Sequence, residues 1–130
     1  MAVIFWFSSQ TADESNHQSN FFVEWLESLF GQNEIWIFIV RKSAHCLEFT
    51  GLSLLLSCAF YFSKNKITLP YSVGLTSLYA ITDEIHQIFV DGRSCEFRDW
   101  VIDTIGAVIG ALGFLVLYKL ISAIIKRKKR

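Results

Sequence analysis

The sequence predicts an all-α protein: a polytopic transmembrane helical bundle with three full spans, a truncated N-terminal span and an interfacial amphipathic helix. Hydrophobic residues make up 52% of the 130-residue chain, and its mean hydropathy is +0.38. This is too apolar for a small soluble domain, whose surface is largely polar. Three long apolar segments follow one another at 35–63, 67–89 and 99–125. We therefore expect a single membrane domain over residues 1–130.

The N-terminal part is predicted to hold two short apolar elements separated by a polar loop. Met1–Phe7 is apolar but far shorter than the roughly 20 residues that span a bilayer. It is therefore either the end of a spanning helix or an interfacial anchor. Residues 11–20 are polar and predict a loop. Phe21–Phe30 places its apolar residues opposite Glu24 and Glu27, which indicates an amphipathic helix in the membrane interface.

The first full span is predicted over residues 35–63, with Asn33 as its N-cap. A helix from Glu34 to Phe62 would be about 43 Å long. This length exceeds the roughly 30 Å hydrocarbon core of a bilayer. Either the first turns of the helix lie outside the hydrocarbon, or the helix bends near Arg41.

The second and third spans are predicted over residues 67–89 and 99–125. Polar residues recur along the second span at steps of three and four, so one face of this helix is polar. These residues are Ser72, Thr76, Tyr79, Asp83, His86 and Gln87. The third span carries Gly106, Gly110 and Gly113, whose spacing predicts close helix contact and offers a face for an oligomer.

The distribution of charge predicts the orientation in the membrane. The basic tail 126–130 follows an apolar run, which favours a cytoplasmic anchor over a nucleic-acid-binding segment. With this tail inside, the inner side holds eight Lys or Arg residues, namely the five of the tail with Lys64, Lys66 and Lys119. The outer side holds the other four and all twelve acids. The C-terminus is therefore predicted to be cytoplasmic.

The stretch Tyr79–Asp103 is the predicted functional site, because ionisable residues are costly in a bilayer and mark functional positions. In the predicted topology, the ends of all three spans meet at the outer membrane surface. They bring together Arg41, Lys42, His45 and Glu48 of the first span, Asp83, Glu84, His86 and Gln87 of the second, and Asp99 and Asp103 of the third.

Two interpretations of this constellation remain open. The polar groups form a network that fixes helix register, or they form a binding site. Charges near the helix ends are expected to reach water; these are Arg41, Lys42, Glu84 and Glu96. Arg93 and Arg98 in the outer turn suit the phosphate or carboxylate of an anionic lipid or cell-wall ligand.

An enzymatic alternative rests on the same side chains. His45, Glu48, Asp83 and Asp103 are of types that bind divalent metals, although their spacing matches no standard motif and no cofactor is predicted. With Glu84 they are the candidate catalytic residues of a membrane-embedded hydrolase or transferase. The three cysteines lack a CxxC spacing and are interpreted as apolar filler. A Cys46–Cys95 bridge is the alternative.

Three segments carry a resemblance to a known family. Arg41–Leu52 (RKSAHCLEFTGL), Leu78–Ser94 (LYAITDEIHQIFVDGRS) and Arg98–Gly110 (RDWVIDTIGAVIG) resemble, in this order, the VanZ-like family of bacterial membrane proteins. Phe5–Gln10 (FWFSSQ) is similar to the end of that family's first helix. The resemblance covers almost the whole chain.

The resemblance implies a small helical protein of the bacterial plasma membrane, usually with four spans. The namesake of the family is linked to low-level teicoplanin resistance. Carried over by position, the family's polar pattern falls on Lys42, His45, Glu48, Asp83, Glu84, Gln87, Arg93, Asp99 and Asp103. The chain departs from that pattern at Cys46, Phe49, Asp91 and Cys95. The predicted ligand-binding residues are Lys42, His45, Glu48, Asp83, Gln87, Arg93, Arg98, Asp99 and Asp103.

Overall fold

The computed structural model describes residues 1–33, 35–90 and 96–128, and this part of the chain contains helices and no strand. The helices are α1 (Ala2–Ser8), α2 (Ala12–Phe30), α3 (Ile35–Lys64), α4 (Leu69–Gln87) and α5 (Phe97–Lys128). The all-α class is therefore confirmed. The bounds of the three long helices α3, α4 and α5 differ by only a few residues from those of the three predicted segments 35–63, 67–89 and 99–125.

The prediction of a loop at residues 11–20 was wrong, because α2 begins at Ala12. Thr11 and Glu14 form a capping box at its start. The Thr11 backbone N–H donates to the Glu14 carboxylate at 3.0 Å, and the Glu14 N–H donates to the Thr11 hydroxyl at 3.3 Å. Such a pair satisfies two backbone donors that the first turn leaves without helical partners. The polar stretch is thus the first half of one 19-residue helix.

The second half of α2 lies against the start of α3. Phe22, Trp25 and Leu26 of α2 face α3 across an apolar groove of about 310 Å³. The side chains of Phe21 and Phe30 are 73% and 70% exposed. Large apolar side chains left open to the surroundings suit a helix in contact with lipid.

Helix α3 begins where the sequence predicts. The side chain of Asn33 accepts a hydrogen bond from the Ile35 backbone N–H at 3.0 Å, as expected of an N-cap. The helix then continues for 30 residues to Lys64. Among the described helices, α3 and α5 are long and apolar enough to cross a membrane, whereas α4 has a more polar composition.

Helices α3 and α5 run parallel and make the closest contact in the fold. A Cβ atom at Gly106 would overlap the carbonyl oxygen of Cys46, and one at Gly110 would overlap that of Thr50. The Thr50 hydroxyl also lies 3.0 Å from the Gly106 carbonyl oxygen. The predicted close contact is confirmed at these two glycines, and it is made within the chain. At Gly113, a Cβ would meet the Leu54 side chain at an ordinary 3.8 Å.

Helix α4 runs antiparallel to α3 and α5 and joins both through polar side chains. Ser72 of α4 lies 2.7 Å from Ser57 of α3, measured between the two hydroxyl oxygens. Ser77 lies 2.9 Å from the Thr104 hydroxyl of α5 and accepts a hydrogen bond from the Trp100 indole. The polar face predicted along this helix is therefore confirmed, and it points into the bundle.

Helix α1 packs along α4 in the same direction. The Tyr79 hydroxyl donates to the Met1 carbonyl at 3.0 Å, and the Phe5 ring lies 4.4 Å from the His86 ring. Ile4 is buried in the core with Phe49, Leu52 and Ala80. This short segment is therefore part of the helical bundle.

Candidate functional site

The candidate site lies where α3 and α5 begin and α4 ends. Four polar side chains are almost completely buried there, although each could ionise or form several hydrogen bonds. Their exposed fractions are 3% for Asp83, 3% for Glu84, 4% for Gln87 and 1% for Asp103. Burial this deep requires compensation, because unpaired charges are costly away from water.

Asp103 is the centre of the site. The carboxyl groups of Glu48, Asp83, Glu84 and Asp99 all lie close enough to interact with it electrostatically. We call these five residues the acidic centre. Neither carboxyl oxygen of Asp103 has a hydrogen-bond partner within the described residues. All three long helices contribute to the acidic centre.

Ordered contacts surround the acidic centre on the side nearer the helix ends. Lys42 of α3 forms an ion pair with Asp99 of α5, with the two side chains 20% and 16% exposed. Gln87 donates to one carboxyl oxygen of Asp83 at 3.1 Å. The ion pair therefore joins α3 to α5, whereas the bond from Gln87 to Asp83 lies within α4.

The expectation that Glu84 reaches water was wrong. This side chain is buried and accepts a hydrogen bond from the Glu96 backbone N–H at 2.9 Å. Glu96 directly precedes α5, where backbone N–H groups have no helical partner and favour a nearby carboxylate. Glu84 therefore connects the end of α4 to the start of α5.

The remaining predicted residues occupy the periphery. His45 and Glu48 are half-buried on α3 and take part in contacts within the chain. Arg98 is exposed and does not enter the buried centre. Arg93 lies outside the described residues. The ring of His86, on the polar face of α4, contacts the Phe5 ring in a tilted arrangement beside the site.

The chain matches the VanZ/LLP1 family over residues 1–120. It belongs to the VanZ/LLP1 family. The match includes α1 to α4 and most of α5, so it contains every residue of the acidic centre. No curated protein and no solved structure matches the chain. The resemblance found in the sequence is thus confirmed at the level of the family.

The described His, Cys, Asp and Glu side chains of this VanZ-like chain do not form a compact metal site. Among residues 1–33, 35–90 and 96–128, no group of three or more His, Cys, Asp or Glu side chains is arranged to hold a metal ion. Of the candidate metal ligands, Glu48 and Asp83 lie close enough to Asp103 to interact with it electrostatically. Cys46 and Cys58 are free thiols, and Cys95 lies outside the described residues.

A groove leads from the surface toward the acidic centre. It lies between the end of α4 and the start of α5 and has a volume of about 370 Å³. Its walls are Ile81, Glu84, Ile85, Glu96, Phe97 and Trp100. Most of these side chains are apolar, and one of the two carboxyl groups belongs to the acidic centre.

Sequence reasoning missed two polar residues below the site. Ser53 of α3 and Ser57 of α3 are buried one helical turn apart, opposite the polar face of α4. Their spacing of four residues is the signal that could have identified them, because positions i and i+4 share a helix face. A single serine pair in an apolar helix is a weak pattern, since serine hydroxyls can bond to their own helix backbone.

Proposed function

We propose that this VanZ/LLP1 family member is a multi-pass protein of the bacterial plasma membrane, with α3, α4 and α5 as three spans. The length and hydropathy of α3 and α5 support this arrangement. Helix α4 has 19 residues, or roughly 28 Å, close to the thickness of the hydrocarbon core. Its polar side chains face its neighbours, while Leu75 and Leu78 are exposed for contact with lipid.

The proposed orientation places the C-terminus in the cytoplasm and the acidic centre near the outer surface. Positive charge supports it, because Lys64 at the end of α3 and Lys66 just after it lie on the same side as the basic end of α5. We expect an impermeant thiol reagent to label Gln32→Cys, but not Asn65→Cys, in a cysteine-free background of intact cells. Labelling of the Asn65 position alone would reverse the orientation.

The proposed activity is binding of an anionic lipid or a cell-wall-related ligand at the outer end of the bundle. The groove between α4 and α5 carries this proposal, since its apolar walls suit an acyl chain. Arg98 follows the groove residue Phe97 in the chain and is exposed. Lys42 lies at the same end, but it is mostly buried and paired with Asp99. Cations at the surface favour a phosphate or carboxylate headgroup.

Lipid retention tests this binding site. Native mass spectrometry of the protein in mixed phosphatidylglycerol and phosphatidylcholine should show preferential retention of the anionic lipid. Arg98→Gln should reduce that preference severalfold, whereas the matched change Lys66→Gln at the opposite end should not. Equal retention of both lipids by the unchanged protein would rule out the anionic-lipid proposal.

A role in susceptibility to teicoplanin-type antibiotics is the physiological part of the proposal and comes from the family's namesake. Expression in a susceptible bacterium should raise the inhibitory concentration of teicoplanin. Arg98→Gln should remove this increase while the protein level in the membrane stays the same. An unchanged inhibitory concentration with the unaltered protein would remove the antibiotic role but leave lipid binding intact.

A structural scaffold is the second candidate. The observation that favours it is the ion pair of Lys42 with Asp99, which joins α3 to α5. If the polar groups only hold the helices together, exchanging Lys42 and Asp99 for Met and Leu should preserve both folding and lipid retention. Loss of retention in a folded double variant would favour the binding site.

A further inference from the structure

The groove between α4 and α5 combines apolar walls with negative charge. The described residues that line it are Ile81, Glu84, Ile85, Glu96, Phe97 and Trp100. Two of these six side chains are acids, and none is a Lys or an Arg. A groove with this lining suits a ligand that is largely apolar and carries a positive charge.

The two acids of the groove lie close together where α5 begins. Glu84 is buried, and its carboxylate accepts the Glu96 backbone N–H at 2.9 Å. This bond fixes the Glu84 carboxylate at the wall of the groove. A carboxylate has about four acceptor positions, so a bond to one N–H does not exhaust it. The Glu96 side chain is exposed at the same wall.

The acidic centre adds negative charge at the buried end of the groove. Glu84 belongs to this centre and interacts electrostatically with Asp103. Asp103 is buried, and neither of its carboxyl oxygens has a hydrogen-bond partner among the described residues. Lys42 pairs with Asp99 of the same centre. An excess of buried negative charge favours a bound cation over a bound anion at this end.

The two aromatic residues of the groove are not arranged as a cage for a quaternary ammonium group. The ring centroids of Phe97 and Trp100 are 5.2 Å apart, so the rings pack against each other. An aromatic cage instead places rings on different sides of the cation. The Trp100 indole N–H is donated to Ser77. The carboxylates therefore select the cation, and charged N–H donors give them their strongest hydrogen bonds.

We infer that this groove binds a phospholipid whose headgroup carries a primary amine, with the ammonium group on Glu84 and Glu96. The apolar walls contact the acyl chain, and the exposed Arg98 remains the proposed partner of the phosphate. The inference rests on the proposed lipid binding in this groove and adds the second charge of the headgroup.

Competition between two lipids that differ only at the amine tests the inference. The full-length protein is equilibrated with equimolar phosphatidylethanolamine and phosphatidylcholine of identical acyl chains, and native mass spectrometry measures the retained lipid. Both lipids carry the same phosphate, but only the ethanolamine ammonium group has N–H groups to donate. We expect phosphatidylethanolamine to be retained severalfold more than phosphatidylcholine.

Two substitutions locate the preference in the groove. Glu96→Gln removes the charge of an exposed side chain and should lower the ethanolamine preference severalfold without unfolding the protein. Glu84→Gln should lower it as well, because it removes the charge but keeps an oxygen acceptor for the Glu96 N–H. Glu24→Gln is the matched control and should keep the preference. Glu24 is an exposed acid of α2, which contributes none of the described groove residues.

Two results would overturn the inference. One is equal retention of the two lipids by the unchanged protein, which is decisive even if Glu84→Gln fails to fold. The other is an ethanolamine preference that survives both Glu96→Gln and Glu84→Gln. Failure of the anionic-lipid proposal is a separate result, because its test compares phosphatidylglycerol with phosphatidylcholine. A preference for phosphatidylglycerol without one for phosphatidylethanolamine would remove the amine site and leave anionic-lipid binding in place.

Discussion

The two neighbours of α3 are packed against it in opposite ways. At the α5 interface, the backbones approach so closely that Gly106 and Gly110 have no room for a Cβ atom. At the α4 interface, polar side chains fill the space, and the hydroxyl oxygens of Ser53 and Thr76 have no partner among the described residues. The first interface is complete without a ligand. The second has unused hydrogen-bonding capacity, and it leads directly to the acidic centre.

The two interfaces are expected to contribute differently to the stability of the bundle. Close backbone contact gives van der Waals packing, which drives helix association where lipid removes the hydrophobic effect between helices. Buried polar groups contribute less stability, because their desolvation offsets what they gain from pairing. We therefore place the structural support on the α3–α5 side, whereas the unpaired buried hydroxyl groups lie on the α4 side.

The largest effect is expected at the glycine contact. Gly110→Ala should destabilise the protein by about 3 kcal/mol, because the added methyl group would overlap the Thr50 carbonyl and overpacking is costly. Gly51→Ala on α3 is the matched control, since a Cβ there meets nothing within 4 Å. It should stabilise the helix by up to about 1 kcal/mol. Unfolding in detergent with increasing denaturant measures both.

Equal stability of the two alanine variants would contradict the comparison. It would mean that α3 and α5 separate easily and that the glycine contact is not the support of the fold. A result in which Gly51→Ala is the more damaging variant would place the tight contact on the opposite face of α3.

A smaller effect is expected at the ion pair of Lys42 with Asp99. Both side chains are mostly buried, so Lys42→Met should cost roughly 2 kcal/mol, between the values for exposed and fully buried pairs. The double variant Lys42→Met with Asp99→Leu should recover much of this loss, because no charge is then left without its partner. A double-variant cycle by denaturant unfolding measures the coupling. Additive losses would show that the pair does not link α3 to α5.

The sequence predicts the glycine contact better than the acidic centre, for a physical reason. Backbone contact between helices requires small residues at a fixed spacing. The residue types and spacing of Gly106 and Gly110 are therefore enough to predict their contact. The burial of Glu84 depends on where α5 begins, and no local pattern near Glu84 specifies that. Its sequence neighbour Asp83 belongs to the polar face predicted for α4, and this face is buried in the bundle.

The error in α2 has a different origin. Thr11 and Glu14 form a capping-box pattern that was present in the sequence, yet the polar composition of the segment led to a loop prediction. The polar composition of a segment indicates that it is exposed, but the capping residues determine whether a helix begins there. The orientation in the membrane and the identity of a ligand cannot be derived in this way, because they depend on partners outside the chain.

The smallest effect is expected at the buried serine hydroxyl groups between α3 and α4. Ser57→Ala should cost about 0.6 kcal/mol, a typical value for a side-chain hydrogen bond between membrane helices, because it removes the bond to Ser72. Ser53→Ala, one turn away and also buried, should be neutral or stabilising, since its hydroxyl has no partner in the described chain. Unfolding in detergent with increasing denaturant measures both variants. Equal stabilities of the two variants would show that the bond from Ser57 to Ser72 does not stabilise the α3–α4 interface.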